Sequence, residues 1–144
     1  MHEAAWAGDV EMVRLLVELG ASPAVRDAQF DATPLGWADH NHQPHVVGYL
    51  MQFAGLFEAV KRGGVERVAE LLREEPALAG ATDERGDPPV FHLHRGIARL
   101  PEMVQVLRAG GADLAARDHE GRTAVDVMIA RGDEAVADLL REAP

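Results

Sequence analysis

Residues 10–20 read VEMVRLLVELG, and residues 65–74 read VERVAELLRE. Residues 101–110 repeat the rhythm as PEMVQVLRAG, residues 133–141 as DEAVADLLR, and residues 45–51, HVVGYLM, as a looser copy. Each places apolar residues at roughly helical spacing and charge on the other side, the pattern of a helix with one buried stripe. A shorter segment precedes each copy: HEAAWAG from His2, TPLGWADHN from Thr33, LFEAVKRG from Leu56, PPVFHLHRG from Pro88 and TAVDVMIARG from Thr123. Gly8, Gly63 with Gly64, and Gly132 end short segments, where glycine tolerates left-handed backbone. Pro44 and Pro101 stand where long helices begin, a position at which the missing N–H costs nothing. The recurring unit is a short helix, a turn and a longer helix.

One slot can be followed through all five units. It holds Ala4, Ala38, Ala59, Leu93 and Met128, so the spacings are 34, 21, 34 and 35 residues. Around it stand Thr33-Pro34-Leu35 with Ala38, and Met12-Val13-Arg14-Leu15-Leu16 leading to Gly20-Ala21. Asp83-Glu84-Arg85-Gly86, Gly111-Ala112-Asp113, Arg117-Asp118 and Gly121-Arg122-Thr123 complete the set. Together these resemble the ankyrin motif, T-P-L-H-x-A, a glycine turn, V-x-x-L-L and G-A-D, over essentially the whole chain. The resemblance implies an all-α ankyrin-repeat solenoid of about five helix-turn-helix repeats joined by short β-turn fingers. It forms one domain, 1–144, with repeats at approximately 1–26, 27–53, 54–82, 83–117 and 118–144. The family period is about 33 residues. Against it the 21-residue spacing lacks about a dozen, so the finger between repeats two and three is missing and a tight turn at Ala54 and Gly55 is expected. Repeat four carries extra residues between its helices, in 96–100.

The composition narrows the function. A formal net charge of -10 opposes nonspecific binding to nucleic acid and to anionic membranes. Cysteine is absent, which removes disulfides, thiolate metal sites and cysteine nucleophiles. Ser22 is the single serine and Lys61 the single lysine, a poor inventory for covalent catalysis. Gly110-Gly111 follows a helix rather than opening one, so it is no phosphate loop. No stretch has the length and apolarity of a membrane span, and residues 1–10 lack a signal pattern, so a cytoplasmic location is expected. Abundant Ala, Arg and Gly with one Lys points to a bacterial, GC-rich source.

The resemblance implies a non-catalytic protein-binding module, monomeric and without a cofactor, that meets another protein on its concave surface. That surface consists of the fingers and the exposed slots late in the short helices. The register assigns Trp6, His40, Asn41, Lys61, Arg62, Arg95, Arg122 and Arg131 to partner contact. The basic members fall on repeats three to five, while the long helices carry Glu66, Glu70, Glu102, Asp133 and Asp138. A basic groove for an acidic partner segment is therefore expected there. Two other function classes stay open: an antidote-type inhibitor subunit of a specific enzyme, and a metal-binding sensor or enzyme using His40, His42 and His45. His92 and His94 sit two apart on a helix and do not share a face. Trp37, Tyr49, Phe53, Phe57 and Phe91 are read as extra packing around the lost finger.

Overall fold

In a computed structural model, residues 1–142 are described, and they form helices and turns with a single isolated β-bridge, Arg117 to Thr123. The helices are α1 (His2–Ala7), α2 (Val10–Glu18), α3 (Pro34–His40), α4 (Pro44–Arg62), α5 (Val65–Glu74), α6 (Leu100–Ala109), α7 (Ala124–Arg131) and α8 (Glu134–Glu142). Two 3₁₀ turns, Pro76–Gly80 and Pro89–His92, complete the order. Local chemistry sets the ends. The Asp9 carboxylate accepts from the Met12 N–H and the Thr33 hydroxyl from the Gly36 N–H, while Thr123 and Asp126 form a reciprocal capping box. Gly8, Gly63 and Gly132 end α1, α4 and α7 at φ 77, 78 and 78°. After α3 the same place is held by His42 at φ 55°, a left-handed conformation that a Cβ disfavours.

The helices stack in two rows. α1 packs on α3, α3 on α4, and α4 on the Pro89–His92 turn, which touches α7. Behind them α5 packs on α6, and α6 on α8. The space between is filled mainly by small and aliphatic side chains, among them Ala5, Val13, Ala38, Val60, Val68, Leu107, Met128 and Val136, all fully buried. Among the described residues no helix is long and apolar enough to cross a membrane.

Two expectations need correction. There is no turn at Ala54 and Gly55. The chain is helical throughout α4, nineteen residues that fuse the expected long helix of one unit with the short helix of the next. Buried Val46, Tyr49, Leu50, Phe53, Leu56, Phe57 and Val60 run through the junction at steps of three and four, so the apolar face never breaks. One glycine without a proline or Asx partner costs about 1 kcal/mol, too little to end such a helix. The segment from Pro88 is likewise no α-helix but one 3₁₀ turn. Pro88 and Pro89 remove two N–H donors, and the His94 side chain caps the turn that follows by accepting from the Gly96 N–H. With Nδ1 accepting, the His94 Nε2–H donates to the Lys61 carbonyl at the end of α4.

The fused helix brings distant segments together. The end of α2 docks on the Pro76–Gly80 turn, where a Cβ on Gly80 would lie 2.6 Å from the Glu18 carbonyl oxygen. Thr82 Oγ1 donates to the Gly20 carbonyl. Arg14 reaches Glu75 through Nε at 2.9 Å and a terminal nitrogen at 2.7 Å, and its guanidinium lies over the Tyr49 ring. The Glu75 carboxylate raises the Arg14 pKa against the cost of partial burial, and burial pushes the Tyr49 phenol up.

Candidate functional site

Three fingers precede inner-row elements, and each folds around one aspartate. Asp27 accepts from the Gln29, Phe30 and Ala32 N–H groups, Asp83 from Arg85 and Asp87, and Asp118 from Glu120 and Arg122. Backbone pairs close them: Asp27 N–H to Ala32 O, Asp83 to Asp87 and Asp118 to Arg122. The first finger is thus one residue longer. The Oδ2 oxygen takes a different side chain in each: Trp37 Nε1–H at 2.9 Å (beside the Ala32 N–H), His92 Nε2 at 2.9 Å, and the Arg122 guanidinium at 2.8 Å. Burial alone would raise the Asp27 carboxyl, but its hydrogen bonds outweigh that and hold it at about 2. Asp118 is lowered by the same balance, its burial overcome by Arg122. At His92 burial outweighs the Asp83 carboxylate and lowers the imidazole pKa, so that contact is a hydrogen bond from a neutral ring at neutral pH.

The longer finger projects Phe30, 63% exposed, beside Trp37. Trp37 meets Phe30 at 6.0 Å and 64°, Trp6 at 5.8 Å and 77°, and His2 at 5.6 Å and 70°. His2 Nε2 bonds the Ala32 carbonyl, which fixes α1 against the finger. Asn41 and Gln43 both donate to the Trp6 carbonyl, at 2.7 and 3.1 Å, and fix the end of α1 against α3. The rings enclose an open, largely apolar cavity of about 530 Å³ lined by Trp6, Phe30, Ala32, Gly36, Trp37 and His40. Of the expected contact residues, Trp6 and His40 stand in this wall, their rings stacked 6.0 Å apart, and Asn41 holds it from behind. Phe30 was not foreseen. Its signal was an aromatic side chain in the polar stretch RDAQFD.

The basic residues lie elsewhere and are not equivalent. Lys61, Arg85 and Arg131 line a second groove of about 460 Å³, beside Phe53, Phe57, His92 and the carboxylates of Asp83, Glu84 and Asp87, so its charges are mixed. Arg131 donates to the Phe91 carbonyl. Arg62 lies 3.5 Å from Glu58 on α4, and Arg95, 78% exposed, lies 3.6 Å from Asp133. Arg122 is drawn into its own finger by Asp118 and Glu120, both at 2.8 Å. Tyr49, Phe53, Phe57 and Phe91 are buried and pack around α4, whereas Trp37 belongs to the open pocket.

The histidine triad does not assemble. His40 stacks on Trp6, His42 sits in the left-handed turn, and His45 begins α4. Among the described residues, the one group of three His, Asp or Glu side chains with ligand atoms within 4.8 Å of one another is Asp87, Asp118 and His119. There Arg122 already occupies the Asp118 carboxylate, and His119 lies 3.7 Å from Asp87.

Comparison with known proteins fits this architecture. Residues 1–28 match the family model of the ankyrin repeat. E3 ubiquitin-protein ligase KEG of Arabidopsis thaliana is 28% identical over 148 residues, which take in 99% of this chain and 8% of that protein. The chain therefore spans less than a tenth of that relative's length. A chain of the solved complex between the Bd0816 predatory endopeptidase of Bdellovibrio bacteriovorus and immunity protein Bd3460 shares the fold. The TM-score is 0.53 at 20% identity, covering 99% of this chain and 79% of that one. Paired helices, aspartate-closed fingers and the matched repeat at residues 1–28 support an all-α, ankyrin-like repeat fold for the described residues.

Proposed function

We propose that the chain is a non-catalytic protein-binding module, one domain of five repeats acting as a monomer, that grips its partner along the concave face built by the fingers and the inner row. The observation that carries this reading is the aromatic pocket. Trp6 and Phe30 are left 43 and 63% exposed around an apolar cavity, and contiguous exposed apolar surface of this kind marks contact sites. The groove with Lys61 and Arg131, with Arg62 and Arg95 nearby in the repeat register, would take an acidic stretch of the same partner. Arg122, held by Asp118, contributes to the shape of its finger rather than to a free charge.

The test is affinity capture with the intact chain from its source organism, followed by quantitative binding of the captured protein. Phe30→Ser is expected to weaken binding about tenfold, the loss of one hot-spot contact. Lys61→Glu with Arg62→Glu and Arg95→Glu is expected to slow association and to weaken its salt dependence. A partner that binds both variants as it binds the parent chain overturns the concave-face reading.

A narrower reading stands beside it: an antidote-type subunit that inhibits one enzyme. It is supported by the fold shared with a chain of the endopeptidase and immunity protein complex. It requires a captured partner that is an enzyme and loses activity stoichiometrically when this chain is added.

A further inference from the structure

We propose that the aromatic pocket between α1, α3 and the first finger receives a cationic side chain, an arginine or lysine, of the protein partner. This rests on the reading of the chain as a protein-binding module and specifies what its N-terminal end recognises. Three observations converge on it.

The first is shape. Trp6 and Phe30 meet Trp37 at steep angles, 77° and 64°, and His40 backs one face of Trp6 at 30°, so the rings form walls of a box around the cavity. Rings disposed around a cavity present π-faces to its contents, and a cation gains from each face it meets. The volume, about 530 Å³, is ample for an arginine side chain with its aliphatic stem.

The second is the electronics of Trp37. Its indole Nε1–H donates to the Asp27 carboxylate at 2.9 Å. A negative acceptor on the N–H pushes electron density into the ring, which deepens the negative face that a cation seeks. The carboxylate stays ionised for this purpose down to a pH far below neutrality, because three backbone N–H groups of the finger also hold it.

The third is charge. Through residue 53 the chain carries seven carboxylates against two arginines, Arg14 and Arg26. Arg14 is taken by Glu75 and Glu11 on α2, and Arg26 donates to the Asp31 carbonyl and lies 3.6 Å from its carboxylate. No lysine or arginine lines the pocket. Asp31, 86% exposed at its side chain, stands between Phe30 and Ala32, and Glu3 lies one turn before Trp6 on the same face of α1. An acidic partner residue would meet repulsion here, whereas a cation would exchange water for aromatic faces within an acidic field.

Both tryptophans of the chain line this pocket, so tryptophan emission reports on it alone. The probes are acetylated, amidated pentapeptides Gly-Gly-X-Gly-Gly with X as arginine, lysine, norleucine or glutamate, titrated into the intact chain. Arginine and lysine peptides are expected to change the emission saturably, norleucine about tenfold more weakly, and glutamate not at all. Trp6→Phe should keep that order, and Trp6→Leu, checked for unchanged circular dichroism, should erase the preference for lysine over norleucine. Equal affinity for lysine and norleucine, or tighter binding of glutamate, overturns the inference. A captured partner whose binding needs Phe30 but is indifferent to neutralising its own arginines and lysines also overturns it, and leaves the module reading intact. A cation preference in the peptides beside a partner that ignores both Phe30→Ser and the triple charge reversal supports the pocket chemistry and overturns the concave-face reading instead.

Discussion

Asp27 and Asp118 fold their fingers with nearly the same backbone hydrogen bonds, and the two turns present opposite surfaces. At Asp118 the Oδ2 oxygen takes Arg122, so a guanidinium is folded down and neutralised within the finger. At Asp27 it takes the indole of Trp37, and the extra residue of that finger sets Phe30 out into solvent. One scaffold therefore consumes a charge at the C-terminal end and displays aromatic surface at the N-terminal end. A repeat register fixes where a slot lies. It does not fix whether the side chain in that slot is available to a partner.

The largest expected effect comes from the element that joins the two ends. Leu56 is fully buried at the point where α4 passes from one expected unit to the next. Leu56→Ala leaves a cavity there and should cost about 2–5 kcal/mol. If α4 couples the ends, tryptophan emission, which reports the N-terminal pocket, and circular dichroism, which reports the whole chain, will lose their signals together in urea. Separate transitions in the variant would show two independently stable ends, and the comparison would then be one between two folding units.

A smaller effect of opposite sign sits beside the pocket. His42 occupies with φ 55° the place that Gly8, Gly63 and Gly132 fill at the ends of α1, α4 and α7. His42→Gly removes the left-handed penalty of a Cβ, about 1 kcal/mol, and should raise the unfolding midpoint. The gain should appear without change in the tryptophan spectrum, because His42 does not line the pocket. A lower midpoint would show that His42 makes a contact worth more than the strain.

The legible part of the molecule was the part encoded locally. Glycine ends at Gly8, Gly63 and Gly132 and prolines at the starts of the helices from Pro44 and Leu100 follow from neighbouring residues, and these helices end and begin at those marks. The fused α4 was written in the sequence as well, in the unbroken phase from Val46 through Phe53 to Val60, but the 21-residue spacing was read as a lost loop rather than as a continued helix. The 3₁₀ turn at Pro89–His92 escaped for the converse reason: its apolar residues suit a helix, while two prolines and the His94 side chain redirect the backbone. At the site, the register names Trp6, His40 and Asn41 as partner contacts, and the structure stacks His40 on Trp6 and bonds Asn41 to the Trp6 carbonyl. Phe30 and the engagement of Arg122 depend on the reach of finger side chains, which one extra residue or one carboxylate decides and no helical period records.

The smallest effect separates the two aspartates by acid. The Asp27 carboxyl is held at about 2 against an ordinary 3.8. A group with a depressed folded pKa contributes stability that is complete above its unfolded pKa and fades as pH falls through the folded one. For Asp27 that window runs from about pH 4 down to about pH 2. Asp118 is shifted in the same direction, so Asp27→Asn and Asp118→Asn should each flatten the fall of the urea midpoint across this range. Only Asp27→Asn should also move the Trp37 indole N–H resonance and weaken any cation held against that ring, because only Asp27 bonds the indole. Should Asp118→Asn move the Trp37 resonance equally, the two fingers would be coupled through the inner row, and the contrast between a finger that displays and a finger that neutralises would belong to the whole face rather than to each turn.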